Sequence, residues 1–122
     1  MRVIAGEAKG RRIVSQKRLG ARPTTQRVRS SLFAILEATG LEGKNVVDLY
    51  AGIGTLGIEA LSRGALWADF IEGSPKRCAL LRQSLTAMGF SSRSKVHCMK
   101  VERAITSLGK SYDLVLMDPP YT

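Results

Sequence analysis

The sequence predicts an α/β fold built on a mostly parallel sheet with helices on both faces. Three observations carry this. From Val46 onward, β-prone runs alternate with stretches of helical periodicity. The run Leu114-Val-Leu-Met117 is apolar throughout, as in a strand buried on both sides. A glycine-rich turn, Gly52-x-Gly54-x-x-Gly57, joins one strand to the helix that follows it. The chain has 122 residues, the size of one small domain.

Each element follows in order. Residues 1–7 hold an apolar patch able to form a strand, and Ile13-Val14 is its hairpin partner, with Lys9-Gly10 near the turn. Pro23-Thr24-Thr25 opens a helix with Thr25 as N-cap, its hydroxyl accepting from an otherwise unpaired amide. Val28, Leu32, Ile35 and Leu36 recur at helical spacing, and Gly40 and Gly43 end that helix. Val46 to Tyr50 is the first strand of the sheet, and after the glycine turn Ile58-Glu-Ala-Leu61 is helical. Trp67 to Ile71 is the next strand, ending in Glu72. Ser74-Pro75 starts a helix with Ser at N-cap and Pro at the first helical position. Cys78, Leu81, Leu85 and Met88 mark its inner face, and Gly89 its C-cap. Lys95 to Met99 is a third strand. Glu102 to Leu108 is a short helix carrying Ala104, Ile105 and Leu108 inward. Tyr112 to Met117 is a fourth strand, expected in the middle of the sheet. The chain stops just after it, where such a sheet is expected to continue, so further C-terminal strands are expected outside this chain.

Charge divides the chain. Lys and Arg total 19 against 10 acidic residues. Nine of the cations (Arg2, Lys9, Arg11, Arg12, Lys17, Arg18, Arg22, Arg27 and Arg29) fall in residues 1–29, beside a single acid, Glu7. A basic stretch ahead of a nearly neutral domain points to a polyanionic partner such as nucleic acid. It is also compatible with a solvated basic arm. Two cysteines give no disulfide framework, and with no long apolar run or leader-like segment the composition is that of a reduced, cytoplasmic protein.

Two motifs carry chemistry. The first is Asp48-Leu-Tyr-Ala-Gly-Ile-Gly-Thr-Leu-Gly57, following a strand and entering a helix. Its glycines allow close approach of backbone to ligand, and the helix start points free amides into the same space. This suits an adenine-nucleoside cofactor at the carboxyl ends of parallel strands. Glu72, ending the next strand, can accept from both ribose hydroxyls. The same features fit a nicotinamide dinucleotide. Asp48 separates the readings, because a carboxylate there is awkward beside pyrophosphate and favourable beside a cationic amino-acid tail.

The second motif is Asp118-Pro119-Pro120-Tyr121, at the end of the fourth strand and facing the same cleft. An amine on a nucleobase is a weak nucleophile because its lone pair is shared with the ring. The Asp118 carboxylate and the Pro119 carbonyl can accept from its two N–H bonds and direct the lone pair at a methyl donor. Pro119 and Pro120 stiffen the loop, and Tyr121 can stack on the base. The positive charge that develops on nitrogen also favours a nearby carboxylate. His97, in a strand, is expected to be structural, and Cys78 and Cys98 core-facing.

Asp48 to Ala65 (DLYAGIGTLGIEALSRGA) together with Asp118-Pro-Pro-Tyr resembles class I methyltransferases acting on amino nitrogens. Met1-Arg-Val-Ile-Ala-Gly-Glu-Ala-Lys-Gly-Arg-Arg and Arg22-Pro-Thr-Thr-Gln-Arg-Val-Arg-Ser-Ser-Leu-Phe resemble the bacterial small-subunit ribosomal RNA guanine-N2 methyltransferases. This resemblance spans essentially the whole chain. It implies a Rossmann-like sheet, dependent on S-adenosyl-L-methionine, preceded by an N-terminal β-hairpin and helix. It implies a basic RNA-contacting segment over residues 1–40 and the first part of the cofactor-binding domain over 41–122. The cofactor contacts it implies are Asp48, Tyr50, Gly52, Gly54, Thr55, Glu72, Gly73 and Val101, with Asp118 to Tyr121 holding the target amine. Lys9, Arg11, Arg12, Arg22, Thr24, Thr25, Arg27 and Arg29 are the expected RNA contacts. The partner implied is 16S rRNA or an assembling small ribosomal subunit, with no metal, no membrane and a monomeric full-length protein.

One position departs from the pattern. Where many class I enzymes carry Asp or Asn for the adenine amine, this chain has Met99-Lys-Val-Glu102, so a backbone group must serve there. Three other readings stay open. They are a DNA adenine-N6 methyltransferase, a non-catalytic RNA-binding assembly factor and, less compatible with Asp48 and Asp118, a nicotinamide-dependent oxidoreductase.

Overall fold

A computed structural model describes residues 1–15, 25–109 and 111–119. Among the described residues four strands form the sheet: β1 (Asn45–Leu49), β2 (Trp67–Glu72), β3 (Ser94–Cys98) and β4 (Leu114–Met117). Helices α1 (Gln26–Thr39), α2 (Thr55–Ser62), α3 (Pro75–Ala87) and α4 (Val101–Ser107) complete the architecture, with one 3₁₀ turn at Ser91–Arg93. Every pairing is parallel, and the order is β3-β2-β1-β4. The chain steps outward from β1 through β2 to β3, then crosses back to the other side of β1. The crevice between β1 and β4 is therefore the switch point, where ligands bind in open parallel sheets.

Local chemistry accounts for the element ends. Thr25 caps α1 by accepting from the Val28 amide, and Gly40 closes it at φ 97°, a conformation that costs other residues strain. Ser74 caps α3 by accepting from Arg77 N, with Pro75 at its first position. The cap that ends α3 is Met88, and Gly89 is the left-handed residue after it. Thus the turn chemistry expected of Gly89 is present, one position further out.

Two cores flank the sheet. Val46, Ala68, Phe70, Val96, Leu114 and Leu116 meet α1, α2 and α3 on one face. Val47, Leu49 and Ile71 meet Val101 and Ala104 of α4 on the other. The strand alternation that separates these sets is the two-residue pleat. Among the described residues β4 is the outer strand, with Val115 and Met117 exposed and Leu116 buried. Composition records that both faces of a strand are apolar, and long-range pairing sets its position. Ile105 of α4, expected inward, is exposed, as are Val28 and Ile35 of α1, whereas Phe33 is fully buried.

The N-terminal segment is docked onto the helices. The expected hairpin is present in short form, with Arg2 and Arg12 as an antiparallel bridge, Val3 N donating to Arg11 O at 3.0 Å and Ile13 N to Met1 O at 2.9 Å. Val3, Ala8 and Ile13 join the larger core. Glu59 of α2 accepts from the amides of Ile4 and Ala5 at 2.9 and 3.1 Å. Ser62 Oγ accepts from Ala8 N at 2.8 Å and donates to Ala5 O at 2.7 Å. Ser84 Oγ of α3 accepts from Val14 N at 2.8 Å. Gly6, at φ +85°, lies so close that an added Cβ would sit 1.9 Å from Ser62 O. Gly6→Ala is thus expected to destabilise the protein by roughly 2–3 kcal/mol, from left-handed strain plus a backbone clash, read as a lower urea midpoint.

Among the described residues no helix is long and apolar enough to cross a membrane, and no group of three or more His, Cys, Asp or Glu side chains is arranged to hold a metal ion.

Candidate active site

The site is built at the carboxyl ends of β1, β2 and β4. Immediately after β1, Tyr50 holds φ 57°, a strained conformation for a non-glycine residue. Gly52 and Gly54 follow at φ 61° and 88°, and α2 starts at Thr55. The glycines serve different ends. An added Cβ at Gly54 would lie 2.2 Å from Leu81 Cδ1, and one at Gly57 would lie 2.3 Å from Phe70 Cε1, so both permit close packing beneath the turn. At Gly52 an added Cβ would meet nothing within 4 Å, so this residue faces open space above the sheet. The N-cap Gly54 supplies no side chain, which leaves first-turn amides of α2 available to a ligand.

Three carboxylates border that space. Asp48 is buried, and its Oδ2 accepts from Gly57 N at 2.9 Å, bracing the turn against β1. Burial pushes the Asp48 carboxyl up to about 7, against the Gly57 amide, with the charges of Asp118 and Glu72 adding to the rise. Glu72 spans two loops: Oε1 accepts from Gly52 N at 2.7 Å and Oε2 from Ser74 N at 2.9 Å, with Arg77 Nη1 at 3.7 Å. Each oxygen keeps lone-pair capacity for a further donor such as a ribose hydroxyl. Asp118 is exposed, one residue past the Leu49–Met117 pair, and its charge is felt at Asp48. The tertiary structure therefore joins two motifs that stand 70 positions apart at Asp48 and Asp118.

The remaining predicted residues are placed as follows. Thr55 is buried, Tyr50 and Pro119 are half-buried, and Gly73 is exposed between β2 and α3. Val101 opens α4 with a buried side chain, so its amide is a first-turn donor near the end of β3, beside the exposed N-cap Lys100. Pro120 and Tyr121, and with them Arg22 and Thr24, lie outside the described residues.

Lys9, Arg11, Arg12, Thr25 and Arg27 are exposed. Arg11 spends one N–H on Ala87 O at 2.7 Å. Arg29 requires correction as a phosphate contact, being 1% exposed. It donates to Arg2 O at 2.9 Å and lies 3.8 Å from Glu59, and burial holds its guanidinium below the usual range. Helical phase turned this cation inward, and composition cannot show phase. Cys78 is buried as expected, while Cys98 is exposed, which corrects its core-facing reading. His97 Nε2 contacts the buried Asp69 Oδ1 at 3.0 Å, and Asp69 also accepts from Tyr112 Oη at 2.6 Å, a structural cluster. Sequence reasoning missed Glu59 and Ser62. The only available signal was an acid and a hydroxyl on an otherwise apolar helix.

A parallel sheet with its switch point beside a glycine turn, an acid before that turn and another ending the neighbouring strand is the Rossmann-like sheet of the class I methyltransferase fold. The family model described as Conserved hypothetical protein 95 matches residues 1–122, and the chain belongs to that family. Ribosomal RNA small subunit methyltransferase D of Escherichia coli strain K12 is 32% identical over 121 residues, covering 99% of this chain and 60% of that protein. The solved structure of a hypothetical protein from Thermus thermophilus matches with a TM-score of 0.87 at 28% identity, over 99% of this chain and 70% of that one. The fold also recurs in the C-terminal domain of precorrin-6Y C5,15-methyltransferase from Rhodobacter capsulatus, at 20% identity and a TM-score of 0.72, over 83% of this chain and 53% of that one. The chain spans 60–67% of the length of the curated rRNA methyltransferase relatives it matches end to end.

Proposed function

We propose that this protein transfers a methyl group from S-adenosyl-L-methionine to the exocyclic N2 amine of a guanine in 16S rRNA, on an assembling small ribosomal subunit. The observation that carries this is the meeting of Asp48, the Gly52 turn and Asp118-Pro119 at one crevice. The open space above Gly52 and the paired carboxylates Asp48 and Glu72 fit a nucleoside bearing a cationic amino-acid tail. Glu72 would take the ribose, Asp48 the positive end, and the amide of Val101 the adenine side. Bound there, the cofactor supplies an electrophilic methyl on sulfur.

The chain's own groups supply alignment and charge. Asp118 and the Pro119 carbonyl accept from the guanine amine, hold it in line with the methyl and offset the charge that develops on nitrogen. Lys9, Arg11, Arg12, Thr25 and Arg27 would bind phosphates, which gives affinity and register but little sequence information. Residues 1–40 then act as the RNA-contacting part and 41–122 as the cofactor-binding part.

The test is transfer of radiolabelled methyl to small subunits lacking the modification, followed by nucleoside analysis. N2-methylguanosine is expected. N6-methyladenosine would move the substrate, and tight cofactor binding without transfer would favour an assembly factor.

Asp48 gives this reading a pH signature. Its raised carboxyl means the folded chain holds a proton that the unfolded chain releases. Its contribution to stability is fully present below the ordinary carboxylate range and is lost as pH rises to about 7. A cationic ligand favours the ionised form. Affinity for S-adenosylmethionine should therefore rise with pH by up to about tenfold per unit below 7 and level off above it. Calorimetry in buffers of different ionisation enthalpy should detect proton release near pH 6, and a flat profile would remove Asp48 from the site.

A further inference from the structure

Two cysteines flank Glu72 at the edge of the proposed cofactor crevice. Cys98 ends β3 in register with Glu72, the last residue of β2. Cross-strand partners share a face of the sheet, here the face that α3 covers. Cys78 lies in the first turn of α3, and its thiol donates to the carbonyl of that same Glu72 at 3.3 Å. Cys98 and Cys78 thus flank one residue, the first through its strand pairing and the second through its thiol. Both cysteines are free; Cys78 is fully buried and Cys98 is exposed.

Their surroundings divide the labour. Burial, and then the neighbouring Cys98 thiol, push Cys78 up to about 12, so it is a poor first nucleophile. Cys98 is the thiol that solvent and small oxidants reach. A resolving thiol held next to an exposed one is the arrangement in which a sulfenic acid condenses to a disulfide.

We propose that Cys98 and Cys78 form an oxidation-sensitive thiol pair that couples peroxide to cofactor affinity. This rests on the reading of the crevice as an S-adenosylmethionine site. Hydrogen peroxide oxidises Cys98 to its sulfenic acid, its O–O bond breaking as one water leaves. The Cys78 sulfur then attacks the Cys98 sulfur, the S–O bond breaks, and the departing hydroxide leaves as water with the Cys78 proton. The disulfide removes the thiol donor from the Glu72 carbonyl and ties the first turn of α3 to the tip of β3. Glu72 lies between them, with its carboxylate holding the Gly52 and Ser74 amides. A dithiol reductant reverses the change.

The test treats the full chain with hydrogen peroxide and maps peptides by mass without reduction. S-adenosylhomocysteine binding is measured before oxidation, after it and after dithiothreitol. A Cys78–Cys98 crosslink, with affinity about tenfold weaker and restored by dithiothreitol, is expected, a size usual for coupling between linked sites. Cys98→Ser should bind like the reduced parent and ignore peroxide. Oxidation of Cys98 to sulfinic acid without a crosslink would overturn the pair. A crosslink with unchanged affinity would overturn the coupling. If the reduced protein does not bind S-adenosylhomocysteine, the cofactor reading fails and the coupling with it, whereas the crosslink map still decides whether the two thiols pair.

Discussion

Asp118→Ala should lower methyl transfer by about 10²–10³-fold while leaving cofactor binding nearly intact, the loss typical of removing one group aimed at transition-state charge. Asp118 is exposed at the end of β4, so its removal opens no cavity and the fold should persist. Its charge raises the Asp48 carboxyl, so the variant should also let Asp48 ionise at a lower pH. Cofactor affinity near pH 6 should then rise slightly as turnover collapses. Asp118→Asn keeps one acceptor oxygen without charge and should fall between the two. Single-turnover transfer, with parallel calorimetry, separates these effects. Transfer at the parental rate in Asp118→Ala would remove this residue from the chemistry.

Glu59→Ala should cost about 3–5 kcal/mol, because it strips the partner from buried cations. Glu59 is fully buried. It accepts from Ile4 N, Ala5 N and Arg63 Nε, the last at 2.8 Å, and lies 3.8 Å from Arg29. Arg29 Nε and Nη1 already lack hydrogen-bond partners, so losing Glu59 leaves its charge less compensated still. A loss of this size is a large share of the total stability of a small domain. The N-terminal segment should therefore detach, seen as early amide exchange at Ile4 and Ala5 and a sharply lower urea midpoint. Glu59→Gln retains one acceptor and should lose less. A midpoint unchanged in Glu59→Ala would show that the apolar contacts of Val3, Ala8 and Ile13 dock the segment by themselves.

The candidate site was legible where chemistry is local. Gly52, Gly54 and Gly57 announce a turn, and the structure bears this out: a left-handed φ at Gly52, and close packing against Leu81 at Gly54 and Phe70 at Gly57. Thr25 and Ser74 were readable as caps because a hydroxyl before a helical period has one favourable use. Arg29 was misread for the converse reason. A guanidinium in a basic run looks solvated, and only the rotation of α1 against α2 turns it toward Glu59. Glu59 and Ser62 were overlooked because their partners, the amides of Ile4, Ala5 and Ala8, lie more than fifty positions away.

By itself the sequence determined the alternation of strands and helices, the glycine turn, the acids that end strands and the segregation of charge. These follow from side-chain periodicity, turn sterics and composition, which act over a few residues. The tertiary structure decided the rest: the order β3-β2-β1-β4, the meeting of Asp48 with Asp118, the clamp of Glu72 across two loops and the burial of Arg29. Each depends on which distant segments share a core. That choice is made by summed burial and by the pairing of buried polar groups over the whole chain, and no local window contains it.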